Sequence, residues 1–171
     1  MRTIHRTILA SCIGLALAGA AIAGPAEDGW AAEQRGDYAA AAQSYRIAAE
    51  QGEAYAQKNL GYLYDLGLGV ATNDVEAVKW YRLSAAQGFA QGENNLGWMY
   101  YTGQGVAVDY TEALRLFRLA AAQGNAYAQT NIGLMYDAGV GVTKDPAEAV
   151  RWYRLAAAQG DSRAKEKLAG R

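Results

Sequence analysis

The chain has 171 residues, with 16 Lys and Arg against 17 Asp and Glu, and a formal charge of −1 with its one histidine neutral. That length suits one domain, and the balanced charge supplies neither the basic face that nucleic acid wants nor a patch for an anionic membrane. A single cysteine and a single histidine leave little scope for disulfides, thiolate or imidazole catalysis, or a Cys/His metal site.

Residues 1–23 predict a cleaved signal peptide. Arg2, His5 and Arg6 form a positive start, an apolar stretch runs from Ile8 to Ala21, and Ala21-Ile22-Ala23 has the small-x-small pattern of a cleavage site between Ala23 and Gly24. The stretch is short for a membrane span, so no membrane insertion is expected after cleavage. Leu9-Ala10-Ser11-Cys12 resembles a lipoprotein box. Almost no apolar stretch precedes it and the apolar run continues past it, so Cys12 is read as part of the leader. Removal of residues 1–23 takes both the only cysteine and the only histidine. It also takes Arg2 and Arg6 from the 16 basic residues but no acid, leaving a formal charge of −3. The exported chain, periplasmic or secreted, must then hold together by its packed core.

The next residues, 24–52, predict a helix pair with a tight turn at Gly36-Asp37, serving as an N-terminal cap. From there one phrase recurs at an interval of 36 residues: Gln51-Gly52, Gln87-Gly88, Gln123-Gly124 and Gln159-Gly160. Repeats of this period predict a solenoid, with units 53–88, 89–124 and 125–160.

In each unit a first helix follows Gln-Gly. Over about residues 54–66, Ala56, Leu60, Leu63 and Tyr64 mark one face. Gly61, Gly97 and Gly133 lie inside these helices, where glycine costs about 1 kcal/mol relative to alanine. A cost repeated three times predicts a helix crossing too close for a side chain. A loop follows: Gly67-Leu68-Gly69-Val70, Gly103-Gln104-Gly105-Val106 and Gly139-Val140-Gly141-Val142. No strand precedes it and the third glycine of a dinucleotide fingerprint is missing, so it is no phosphate cradle. Its glycines are expected to take positive φ and its valine to plug the core.

Asn73, Asp109 and Asp145, each with a glutamate three residues on (Glu76, Glu112, Glu148), read as a capping box opening the second helix. That helix buries Ala77, Trp80, Tyr81 and Ala85 and their equivalents, among them Trp152, and Gln-Gly ends it. Residues 161–171 read as a polar capping helix, with Ala164 and Leu168 inward and Arg163, Lys165, Glu166 and Lys167 outward.

The run Ala-Gln-x-x-Leu-Gly-x-x-Tyr from Ala56 to Tyr64, then Gly-x-Gly-Val, an acidic cap and Ala-x-x-Trp-Tyr-Arg-x-x-Ala-x-Gln-Gly resembles the Sel1-like repeat, a relative of the tetratricopeptide repeat. The resemblance covers about residues 53–160. It implies an all-α, right-handed α-α superhelix of antiparallel helix pairs, about four repeats plus the capping helix, used as a protein-interaction scaffold. A cysteine-rich branch of the family resembles β-lactamase-like proteins. The repeats here have no paired cysteines, so that activity is not carried over.

The variable face of the first helices is the candidate partner site. Its stripe runs Tyr55, Asn59, Tyr62 and Leu66, then Gln91, Asn95, Trp98 and Thr102, then Tyr127, Asn131, Leu134 and Ala138. Lys58 and its counterparts Asn94 and Thr130 lie beside it, as do Asp65, Tyr101 and Asp137. First helices line the concave side of helix-pair solenoids, and a Tyr- and Trp-rich stripe there has the composition of interface hot spots. The bland alternative is that these rings are buried between helices, and that Asn59, Asn95 and Asn131 tie helices together instead of holding a peptide backbone.

The expected function is an exported, non-catalytic scaffold that binds a protein or peptide on its concave face. It is expected to act as a monomer without cofactor or metal. Two other classes stay open: a periplasmic immunity-type neutraliser of a secreted toxin, whose Asp65 and Asp137 would meet a basic partner, and a cell-wall or β-lactam-directed enzyme.

Overall fold

The computed structural model describes residues 24–170. The leader with its cut after Ala23, together with His5 and Cys12, lies outside the described residues. Among the described residues there are nine helices and no strand: α1 (Pro25–Gln34), α2 (Tyr38–Glu50), α3 (Ala54–Leu66), α4 (Asp74–Ala86), α5 (Ala90–Thr102), α6 (Tyr110–Ala122), α7 (Ala126–Ala138), α8 (Pro146–Ala158) and α9 (Ser162–Ala169). Each packs on the next in chain order, and α1–α2, α3–α4, α5–α6 and α7–α8 form the tight pairs. The α1 and α3 helices also meet, as do α3 and α5, whereas second helices make no comparable contact with one another. The first helices therefore lie side by side on the inner side of the stack, most closely at its N-terminal end, with α7 joined to α5 by the Asn131–Asn94 hydrogen bond. This is the all-α solenoid that the period implies.

The inner glycines explain how closely the pairs cross. A Cβ on Gly61 would stand 2.8 Å from ring atoms of Tyr81, one on Gly97 2.8 Å from Phe117 and one on Gly133 2.5 Å from Tyr153. The three rings are essentially fully buried. A fourth example sits in the N-terminal pair, where Gly29 faces Tyr45 at 2.6 Å. That pair is a repeat with a shorter loop.

Loop glycines take positive φ as expected, Gly67 at 67° and Gly69 at 68°. The second of them has an added task. A Cβ on Gly69 would lie 2.2 Å from the Tyr38 carbonyl carbon, and one on Gly105 2.3 Å from the Asp74 carbonyl oxygen. Each loop thus rests on the start of the second helix one unit earlier. Val70, Val106 and Val142 pack against the core.

The capping box forms by half. Asn73 and Asp109 side chains accept from the Glu76 and Glu112 N–H groups (3.1 and 3.0 Å), and Asp145 accepts from Ala147 and Glu148 (both 3.0 Å). The glutamates do not reach back. The cap residues' own N–H groups donate instead to the carbonyls of Tyr64, Tyr100 and Tyr136. Glu76, Glu112 and Glu148 are left to pair with Lys79, Arg115 and Arg151 one turn on. Those pairs are solvent-exposed and contribute little to stability.

The buried column of the second helices also differs from expectation. Ser84, Ala120 and Ala156 are fully buried, while of the expected set Ala121 is buried but Ala85 and Ala157 are half-buried. Trp80 is buried and Trp152 only half-buried. Gln-Gly does more than stop a helix. Gln87 Nε2 donates to Gln57 Oε1 (2.8 Å) and to the Gly52 carbonyl (2.8 Å). Gln159 Nε2 donates to Gln129 Oε1 (2.8 Å), and in the middle unit Gln123 Nε2 donates to Glu93 Oε2 (2.8 Å). These side chains tie each unit to the one before it.

Candidate functional site

Two adjoining hollows lie along the first helices. One, of about 270 Å³, is bordered by Asp65 and Tyr81, by Trp98 and Asn131, and by Arg163. The other, of about 210 Å³, is bordered by Glu33, Lys58, Asn59, Gln91 and Asn125. Tyr62, Asn94, Asn95 and Tyr127 belong to both, so the hollows make one groove across α3, α5 and α7.

Eight of the ten predicted site residues come together there: Lys58, Asn59, Tyr62 and Asp65 from α3, Asn95 and Trp98 from α5, and Tyr127 and Asn131 from α7. Two do not. Tyr55 stands edge-on between Tyr45 (6.1 Å) and Phe89 (6.4 Å), and borders a separate N-terminal hollow with Glu27, Trp30 and Glu53. Tyr101 is half-buried, stacked on Trp98 at 5.5 Å and edge-on to Tyr110 at 5.6 Å. It braces the tryptophan from behind.

Aromatic groups differ in availability. Tyr127 is 63% exposed and Tyr62 38%, while Trp98 is half-buried. A stacked, partly buried ring is held in one orientation, which lowers the ordering cost of using it as an anchor.

The asparagines divide between tying and facing the groove. Asn131 Nδ2 donates to Asn94 Oδ1 (3.1 Å), joining α7 to α5, and Asn94 Nδ2 donates to Asn95 Oδ1 (3.2 Å). Asn59 Oδ1 accepts from Lys58 Nζ. That leaves Asn59 Nδ2 and Asn131 Oδ1 shielded from solvent with no partner among the described residues. Each such atom costs about 1–3 kcal/mol, and native folds retain few of them.

The charged groups at the site are strained by their setting. Burial pushes the Lys58 ammonium below the usual lysine range, with Glu33 opposing the shift. Its Nζ also lies 5.4 Å over the Tyr55 ring. Burial raises the Asp65 carboxyl, and the hydrogen bond from Tyr81 works against that. Tyr81 Oη donates to Asp65 Oδ2 (3.3 Å), Tyr153 Oη to Asp137 Oδ2 (3.2 Å) and Tyr45 Oη to Glu33 Oε2 (2.8 Å). In the middle unit the hydroxyl is gone (Phe117), and Tyr101 stands where the acid would be. The acids at this position are thus partners of a buried tyrosine.

Sequence reasoning placed Arg163 on the outer side, yet it borders the groove beside Asn131. The signal was present: 163 lies 36 residues after Tyr127, so α9 continues the first-helix stripe. The same register, allowing for the shorter first loop, sets Trp30 in line with Tyr62 and Trp98. Thr130, taken as a variable groove neighbour, is 1% exposed and donates to Asp161 Oδ1 (2.9 Å) to fasten α9. Among the described residues no cluster of acids, histidines or cysteines could hold a metal ion, and no helix is long and apolar enough to cross a membrane.

No curated protein matches the chain. Solved structures do. A Sel1 repeat protein from Oxalobacter formigenes is 39% identical with a TM-score of 0.76, covering 83% of this chain and 57% of its own. The protein c5321, a protective antigen of uropathogenic Escherichia coli strains with an SLR fold, is 40% identical with a TM-score of 0.75, covering 85% and 32%. This chain therefore spans about half of the first relative and a third of the second. Helicobacter pylori cysteine rich protein B, at 21% identity and a TM-score of 0.57, shares the fold. Such repeats generally serve as protein-interaction scaffolds without catalysis. The Sel1 repeat model matches residues 54–89, 90–125 and 126–161. With three matches in unbroken register over the helices that build the groove, the chain belongs to the Sel1 repeat family.

Proposed function

We propose that this protein is an exported, non-catalytic scaffold that captures a protein or peptide partner in the groove of its first helices. One observation carries the reading: exposed aromatic rings and buried amide atoms lacking a partner share a single groove. Rings of this kind are what interface hot spots are made of, and polar atoms without partners are what a guest can satisfy. The neutraliser reading leans on Asp65 and Asp137, of which only Asp65 borders the groove, with one of its oxygens already accepting from the Tyr81 hydroxyl. Partner capture is therefore preferred.

The test is affinity capture from envelope extracts with the purified protein, run beside its Trp98→Ala variant and read by mass spectrometry. A protein retained by the parent and lost with the variant supports the reading. Identical retention by both, with the helical content intact, defeats it.

A further inference from the structure

The second helices carry a hollow of their own, none of whose bordering residues touches the groove of the first helices. It lies between α4 and α6 and has a volume of about 280 Å³. Arg82, Ala85, Leu96, Arg115, Leu116 and Leu119 border it. Leu96 and Leu116 are buried, and Leu119 is 42% exposed.

The repeat explains why the hollow is there. Leu116 stands 36 residues after Trp80 and 36 before Trp152. Trp80 clusters with Ala49 and Leu60 of the preceding unit, and Trp152 packs against the cluster that holds Ala121 and Ile132. Ala85 and Leu96 are the counterparts of those residues, and at their joint the partner is Leu116. An indole used at two joints is thus exchanged for an isobutyl group at the joint between them. The space that it gives up is open to a guest.

The cation that accompanies the indole has stayed. Lys79 Nζ lies 5.3 Å over the Trp80 ring. Arg115 holds the same register position one unit on, with Leu116 where the ring would follow. Its Nε and Nη2 both donate to Glu112 (2.7 Å each). A fork of that kind lies in the guanidinium plane and leaves the flat face for stacking on an aromatic ring. On the other rim Arg82 donates to the Tyr100 hydroxyl (3.1 Å), which is neutral, and forms no ion pair among the described residues. Its charge is therefore available to an anion.

We infer that this hollow receives an aromatic side chain of a partner protein, with an acidic residue beside it in the partner's sequence. The ring takes the place that an indole fills at the neighbouring joints, against the face of Arg115 and the apolar wall of Leu119. The carboxylate meets Arg82. A partner held here leaves the groove of the first helices free, so the two surfaces work independently.

The probe is an acetylated and amidated heptapeptide with one tryptophan between two glutamates and only glycine and serine elsewhere. It is titrated into the isotope-labelled protein while the backbone amides of Ala85, Leu96 and Leu119 are followed by NMR. Saturable shifts at these residues are expected. Replacing the peptide's tryptophan by alanine is expected to weaken Kd at least tenfold, and replacing its glutamates by glutamine about threefold to fivefold. Arg82→Ala is expected to weaken the glutamate peptide by that same factor and the glutamine peptide less than twofold. Leu116→Trp restores the residue that two other units accommodate, and is expected to weaken binding at least tenfold. Leu119→Glu places a carboxylate at the exposed mouth and is expected to weaken it at least fivefold.

Equal binding by the parent, Leu116→Trp and Leu119→Glu overturns the inference, as does equal binding of the tryptophan and alanine peptides. Trp98→Ala is expected to leave Kd within twofold. If that variant loses the peptide while Leu116→Trp keeps it, the peptide is a groove ligand: this inference falls and the groove reading stands. If free indole-3-acetate shifts the same residues and the peptide does not, the hollow takes a small aromatic acid and the partner side chain is ruled out. No shift with any of these probes also overturns it, and leaves the groove untouched.

Discussion

The ring of Tyr81 occupies the place where a side chain at Gly61 would stand, with two ring atoms 2.8 Å from the position of its Cβ. The Ala77 carbonyl is only 3.2 Å from the same point, so the ring has little room to withdraw. Gly61→Ala is therefore expected to destabilise the protein although alanine is the better helix former. Overpacking costs about 1–3 kcal/mol against about 1 kcal/mol gained in propensity. A fall in the urea midpoint at unchanged m-value checks it; an equal or higher midpoint shows that the helices can separate freely.

Glu93 is a carboxylate where its counterparts are Gln57 and Gln129. It is buried, and burial pushes its pKa up, with the hydrogen bond from Gln123 and the charge of Arg115 opposing. The folded state holds this proton more tightly than the unfolded chain. Glu93 thus costs nothing below the ordinary glutamate range, and costs progressively more as pH rises from there through the raised folded value. Glu93→Gln keeps an acceptor for Gln123 and removes the charge. It is expected to stabilise the protein by about 1 kcal/mol at pH 7.5, with little difference at pH 4. Urea unfolding of both proteins at the two pH values decides it, and a gain independent of pH would point to packing as the cause.

Trp98→Ala is expected to weaken partner binding by about 2 kcal/mol, roughly thirtyfold. Tyr101→Ala is expected to weaken it less, since Tyr101 acts through the orientation of the tryptophan. Titration calorimetry on the captured partner measures both, with circular dichroism confirming the fold. A larger loss at Tyr101 would reverse the assignment of anchor and support.

The proposed export predicts an N-terminus at Gly24. N-terminal sequencing should read Gly24-Pro25-Ala26 and should not change when lipoprotein processing is blocked. A lipid-bearing mass starting at Cys12 would replace this account of the N-terminus.

The period alone made the stack legible, because each unit solves the same packing problem and repeats its solution. Gly61, Gly97 and Gly133 announced the close crossings without any coordinates. Gly29 escaped notice because the first loop is four residues shorter, which breaks the register by which the others are found. Gln51-Gly52 and its copies hid a second role: the positive φ of the glycine is a local property, while the reach of Gln87 to Gln57 across a unit boundary is not. The groove was harder. Composition marked Tyr62 and Trp98, but the swap of Asp65 and Tyr81 for Tyr101 and Phe117 becomes meaningful only when the two helices are seen side by side. Arg163 required the stripe to be carried past the last full unit. Thr130 varied between units for a reason unrelated to any guest, since it alone faces the closing helix.

Because the glycine of each loop rests on the helix start one unit back, every joint in the stack is made from the same pair of surfaces. An in-frame duplication of one whole period would create no unfamiliar junction, and would lengthen the groove of first helices by about 8–10 Å. An insertion inside a helix would leave one joint mismatched, whereas a loop within a pair can differ in length, as that of the N-terminal pair does. The length of that groove is thus a quantity this architecture can adjust only in discrete steps.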